Sequence, residues 1–338
     1  MIQVKLKNRT LQIPNSWESL TRKQFLYTIQ VLINHIQGQL SKLDVRILLL
    51  IQYTGYQPSR KLVRVWPSKT IYYSRMQIAA VRYRLFYKKS AYKSLMHNWI
   101  RNSRPEPESE SQLRENITHN LVALSEKIAF PWRQENGQTI INTMMLRNPI
   151  PFIRIRTKKV QGLYFNIGII TQTNITARQF ADAFDISRAF AQSQDARLLN
   201  HLCAILYPGN YSHANAVNSN YHERFTRVPF IVRYAVYLWF TGVTAYFVNN
   251  PVYSLLFNGS KNDNSDRISL GLSESILQLS LTGFGGIDEM SNQNVITFFD
   301  AQVKSLKKTI SDALGKGVKK EELPALLNLS ISQIDSLC

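Results

Sequence analysis

One hexapeptide pattern occurs twice, and it constrains the fold more than any other feature. Leu20-Thr21-Arg22-Lys23-Gln24-Phe25 returns as Ile175-Thr176-Ala177-Arg178-Gln179-Phe180. Each copy has the form of a helix start. The Thr hydroxyl can accept from the backbone N–H three residues on, and the Gln side chain can reach back to the Thr N–H. Both copies then run to a matched end. Leu48-Leu49-Leu50-Ile51-Gln52-Tyr53-Thr54-Gly55 has its counterpart in Leu202-Cys203-Ala204-Ile205-Leu206-Tyr207-Pro208-Gly209. An apolar run closing on Tyr and Gly is a helix stop. Two matches in the same order predict a duplicated helical unit. The fold class expected is mainly α: two related helical units with a small N-terminal β-hairpin and a minor β insertion.

The hairpin is read at Ile2 to Pro14, where Gln3-Val4-Lys5-Leu6 and Thr10-Leu11-Gln12-Ile13 alternate around a turn at Lys7-Asn8-Arg9. Trp17 and Leu20 stand where they can staple the first helix entry. Helices are expected from Arg22 to about His35 and from about Ser41 to Tyr53. The second unit repeats them from Thr176 to about Phe190 and from about Asp195 to Tyr207. The β insertion lies between residues 138 and 165, with Lys158-Lys159 near a turn. Leu272 to Leu281 and Val295 to Leu306 read as further helices, followed by a charged tail with short helices. The units divide as 1–104, 105–170, 171–258 and 259–338. The Pro105-Glu106-Pro107-Glu108 loop marks the first boundary.

Phe230 to Val248 contains a single charge, Arg233. Tyr234, Tyr237, Trp239, Thr241, Gly242, Thr244 and Tyr246 dilute its apolarity. A buried core helix is expected there, not a membrane span. Met1 to Lys7 lacks an apolar core of signal-peptide length. The two cysteines, Cys203 and Cys338, indicate no disulfide framework, so a reducing compartment is expected.

Charge matters because 41 Lys and Arg face 22 Asp and Glu, a net charge of +19. Such an excess implies a polyanionic neighbour. It concentrates between Val45 and Pro105, which hold thirteen Lys and Arg and no acidic residue. The candidate partner-binding residues are Arg60, Lys61, Arg64, Arg75, Arg82, Arg84, Lys88, Lys89 and Lys93. Trp66, Tyr72, Tyr73, Tyr83, Phe86 and Tyr87 are interleaved with them. Arg and Lys can neutralise phosphates while aromatic rings stack on bases. They can equally meet an acidic protein surface.

Catalytic signatures are missing from the sequence. It contains no P-loop, GxGxxG, HExxH or GxSxG. His35, His97, His119, His201, His213 and His222 do not pair at metal-ligand spacing. Gly283-Phe284-Gly285-Gly286 resembles half a phosphate loop, but no strand precedes it, and a helix C-cap explains it. Asp182, Asp185 and Asp195 read as capping and surface charge. No enzyme, no cofactor, no metal and no small-molecule substrate are expected.

The opening Ile13-Pro14-x-x-Trp17-x-x-Leu20-Thr21-x-x-Gln24-Phe25 resembles structural and tail-region proteins of tailed phages and prophages of Bacteroidetes. Arg147-Asn148-Pro149-Ile150-Pro151, Ile175-Thr176-x-x-Gln179-Phe180, Arg224-Phe225 and Leu281-Thr282-Gly283-Phe284-Gly285 are similar to later segments of that group. The resemblance implies a structural virion component of tail, baseplate or neck. It would assemble in multiple copies with other phage structural proteins, in the virion and in the host cytoplasm during assembly. A tail-assembly chaperone that leaves before maturation is one alternative. A nucleic-acid-binding protein using residues 45–105 is another.

Overall fold

The computed structural model describes residues 1–6, 9–55, 122–135, 137–209, 221–257, 271–281, 283–327, 331 and 334–335. These residues are mainly helical, with two-stranded antiparallel sheets as the only sheets among them. They form two compact units, Met1–Asn142 and Thr143–Cys338.

In the first unit, β1 (Ile2–Leu6) and β2 (Arg9–Ile13) pair in antiparallel register, Ile2 opposite Ile13 and Leu6 opposite Arg9. Alternation puts Leu11 and Ile13 into the core, where β2 meets α2. The chain then makes one 3-10 turn at Trp17–Ser19 and enters α1 (Arg22–Ile36). Thr21 caps it as expected. The Gln24 N–H donates to Thr21 Oγ1 at 3.3 Å, and the Thr21 N–H donates to Gln24 Oε1 at 3.0 Å. α2 (Lys42–Thr54) starts on a second capping box, Ser41 with Asp44, and stops at Gly55 in the left-handed region (φ 62°). Leu48, Leu49, Leu50 and Ile51 are all buried, so α2 is covered on nearly every side.

Trp17 is the staple of this unit. Its ring meets Phe25 edge-on at 5.8 Å and Phe130 at 5.1 Å, and its Nε1–H donates to the Asn142 carbonyl at 3.0 Å. Asn142 closes the hairpin of β3 (Trp132–Glu135) and β4 (Gln138–Ile141) by donating to the Phe130 carbonyl. β3 was not foreseen in the sequence; its Trp132-Arg133-Gln134-Glu135 has no apolar alternation to betray it. The sequence also predicts an amphipathic helix over Gln112 to Ala129, most of which lies outside the described residues.

The second unit opens with two small hairpins. β5 (Phe152–Ile155) pairs with β6 (Lys158–Gln161), and β7 (Phe165–Asn166) with β8 (Gln172–Thr173). α3 (Ala177–Ser193) begins on the repeated capping box, with the Gln179 N–H donating to Thr176 Oγ1 at 3.2 Å and the Thr176 N–H to Gln179 Oε1 at 3.1 Å. Here the helix start has a partner. The Ala177 N–H donates to the Gln293 carbonyl, and the Val295 N–H donates to the Ile175 carbonyl. This pair ties the start of α3 to that of α8 (Val295–Gly315).

Between them lie α4 (Leu198–Leu206), α5 (Phe230–Asn249), α6 (Gly271–Leu281) and α7 (Ile287–Asn292), with α9 (Leu323–Leu327) last. Their core is aromatic. Phe180 of α3 meets Phe240 and Phe247 of α5 and Phe299 of α8 at centroid distances of 5.5, 5.3 and 5.4 Å. Offset and edge-on pairs of this kind add to the burial term. α5 is the only helix among the described residues long and apolar enough to cross a membrane, and half of its most apolar stretch is buried in the unit. Trp239 Nε1–H donates to the Leu146 carbonyl at 2.8 Å. Gly242 lies so close to residues 143–145 that a Cβ would meet the Thr143 and Met145 carbonyl oxygens at 2.5 Å.

The helix ends depart from the sequence reading in three places. Gly209 is no left-handed stop. α4 ends at Tyr207, and Gly209 instead donates its N–H to Tyr221 Oη at 2.8 Å, in a space a Cβ would fill. α4 also starts later than expected, because Asp195 turns back to accept the Arg197 and Leu198 N–H groups. α8 runs to Gly315, past Leu306, because its apolar face continues to Ile310. Gly317 (φ 85°) ends it: the Val318 N–H reaches the Ala313 carbonyl and the Gly317 N–H that of Leu314.

Candidate functional site

Arg60, Lys61, Arg64, Arg75, Arg82, Arg84, Lys88, Lys89 and Lys93 all lie outside the described residues. The sequence also predicts a flexible loop over Asn258 to Asp266, and it too lies outside them. Arg46 is the one cation of the acid-free stretch whose place is defined. Its guanidinium sits 5.3 Å from the centre of the Trp132 ring, and Lys42 sits 5.6 Å from it. Burial first, and then the Arg46 charge, lowers the Lys42 ammonium from its ordinary value. Cations on an indole face are held by the ring quadrupole and need no carboxylate.

The other groups singled out in the sequence have local employment. Asp182 pairs with Arg178 one turn away at 3.2 Å, and Asp195 pairs with Arg197 at 2.8 Å. Two hydrogen bonds from Arg197 keep the Asp195 carboxyl low. Burial and the Asp182 charge raise that of Asp185. Cys203 is fully buried, and desolvation pushes its thiol up to about 12. Gly283 (φ 84°) is a helix C-cap: its N–H reaches the Ser280 carbonyl and the Phe284 N–H that of Leu279. That double bond pattern ends α6 and leaves no phosphate cradle to explain. Tyr253 donates to Asp300 at 2.8 Å, and burial raises its phenol strongly.

The sequence places His222 at the edge of a polar loop. It lies in the 3-10 turn His222–Arg227, and its ring stacks on His201 of α4 at 3.8 Å and 19°. Sequence spacing gives no hint of this pair. Among the described residues no group of three His, Cys, Asp or Glu could hold a metal ion.

The sequence holds a second acid-free stretch. Between Glu135 and Asp182 there is no carboxylate, while Arg147, Arg154, Arg156, Lys158, Lys159 and Arg178 all fall there. Both flanking acids are committed, Glu135 to Arg133 at 2.8 Å and Asp182 to Arg178. Four of these cations crowd onto the β5–β6 hairpin. Arg154 stands directly opposite Lys159, and Arg156 (φ 54°) and Lys158 flank the turn. All four are exposed. The signal that singles out this hairpin as cationic is the missing acids, the same signal that marks residues 45–105.

No protein-family profile, no curated protein and no solved structure matches this chain.

Proposed function

We propose that this chain is a structural component of a tailed-phage particle, in the tail, baseplate or neck, that assembles through protein contacts. The observation that carries this reading is the run from Val45 to Pro105, with thirteen cations and no acid. Glu106, Glu108, Glu110 and Glu115 follow it, too few to neutralise it. The remaining cations are left for water, an acidic neighbouring subunit or nucleic acid, and we favour the subunit. Permanent assembly interfaces are large, and Arg suits them through its planar, bidentate donors. Eight of the thirteen are Arg.

The described residues add support of a general kind. Their buried polar groups serve packing and helix capping, as with Thr28, Asp44 and Asn148. α5 is built into its unit by Trp239 and Gly242, which suits a core helix better than a span.

The test is a charge reversal, Arg82→Glu with Arg84→Glu. Reversing the charge of a surface residue in general changes folding stability by about half a kcal/mol. Against an acidic partner the same change turns attraction into repulsion of roughly several kcal/mol. The reversed subunit should fold and fail to enter particles. Normal incorporation, with DNA binding lost through the same substitutions, would reassign the stretch to nucleic acid.

A further inference from the structure

We propose that the β5–β6 hairpin binds the phosphate backbone of duplex DNA. The site uses none of residues 45–105, and the inference is independent of the assembly reading.

The argument begins with strand register. Arg154 and Lys159 are cross-strand partners, so both project from one face of the ribbon. Side chains opposed in this way stand about 5 Å apart at Cβ, and like charges there repel. Among the described residues neither is paired with a carboxylate, and Lys159 has instead turned over the Phe152 ring at 4.1 Å. The opposite face is the one that packs: Ile153 is buried, and Ile155 and Val160 are half-buried. The outer face therefore carries Arg154 and Lys159, Arg156 stands at the turn, and Lys158 lies opposite Ile155 at the exposed turn end of the packing face.

Its surroundings extend the charge. The 3-10 turn His222–Arg227 packs against β5 and carries exposed Arg224 and Arg227 against one acid, Glu223. Six cations thus lie on two adjoining elements.

Two features favour DNA over an acidic protein. Protein interfaces are depleted of charge at their centre and turn on buried aromatic or apolar anchors. The outer face of this ribbon has none exposed, since Phe152 is half-buried beneath Lys159. A two-stranded ribbon is also a shape that the B-DNA major groove, about 12 Å wide, admits. Long, exposed cations on such a ribbon suit phosphates, which give affinity without demanding a base sequence.

The test uses the full chain and a random-sequence 24-bp DNA duplex, with affinity measured as a function of salt. Each phosphate contact contributes about −0.9 to the slope of log K against log salt. Replacing Arg154, Arg156, Lys158 and Lys159 together by Ala should make that slope shallower by roughly 3 to 4, with the melting temperature unchanged. Should that variant unfold, Arg156→Gln with Lys158→Gln at the turn keeps the question open to measurement; it should remove roughly 2 from the slope. An unchanged slope in either folded variant, or no duplex binding by the unaltered chain, would overturn the proposal. Retention on polyglutamate that disappears with these cations, without duplex binding, would assign the ribbon to an acidic protein instead.

Discussion

Thr21 and Thr176 do the same local work in different settings. Each oxygen satisfies one N–H that the helix cannot, and each Gln returns the bond. Thr21→Ala should cost ~1 kcal/mol of stability, and Thr176→Ala up to ~2, because the second cap is half-buried and shares its neighbourhood with the Val295 contact. Thermal melts that leave both variants unchanged would remove the capping argument. The tyrosines that close the two matched runs differ in their contacts. Tyr53 donates to Thr28 Oγ1 at 2.6 Å, and Thr28 donates onward to the Gln24 carbonyl at 2.7 Å. Tyr207 donates to the Ile150 carbonyl, outside its helix pair. Cys203 gives a pH prediction. Its folded value is raised to about 12 by burial, above that of a free thiol near 8.5. The neutral thiol is thus favoured in the fold, and its contribution is fully present below about pH 8.5 and lost as pH rises toward 12. In a Cys338→Ser chain, a thiol reagent at pH 8 should label nothing until denaturant is added. Rapid labelling of the native chain would contradict the burial.

At the scale of elements, α5 shows best what packing adds to propensity. Gly→Ala in an exposed helix gains about 1 kcal/mol. Gly242→Ala should instead lose about 1–3 kcal/mol, since its methyl group would press on the backbone of residues 143–145. Gly315→Ala, with nothing within 4 Å of the added carbon, serves as the control and should be neutral or stabilising. Denaturant midpoints for the pair decide the matter; a stabilised Gly242→Ala chain would mean that α5 is not seated against that segment. The helix starts were legible in the sequence because a capping box is complete within four residues. The apolar runs of α2, α4 and α5 were legible for a similar reason. Gly209 misled because a helix-stop glycine and a close-approach glycine look alike until Tyr221 arrives from twelve positions away. α8 was cut short because the charges Lys307 and Lys308 hid an apolar face that continues to Ile310. β3 and β8 have no pattern of their own and exist through their partners. The stacked His201 and His222 depend in the same way on a contact between separate elements.

On the scale of the whole molecule, charge is the property that still asks for a partner. The described residues neutralise few of their cations internally. They place Arg46 and Lys42 on an indole ring and gather four more on one hairpin. Two acid-free stretches, one in each unit, account for much of the +19. Such a molecule alone in solution repels itself, and association with anionic surfaces relieves that. The most direct test of the structural reading is the copy number of this chain in purified phage particles, measured by quantitative mass spectrometry. A structural part of tail, baseplate or neck should be found at several copies per mature particle, in a fixed ratio to the other particle proteins. Absence from mature particles, with the chain present in the infected-cell lysate, would contradict it and leave the assembly chaperone in its place.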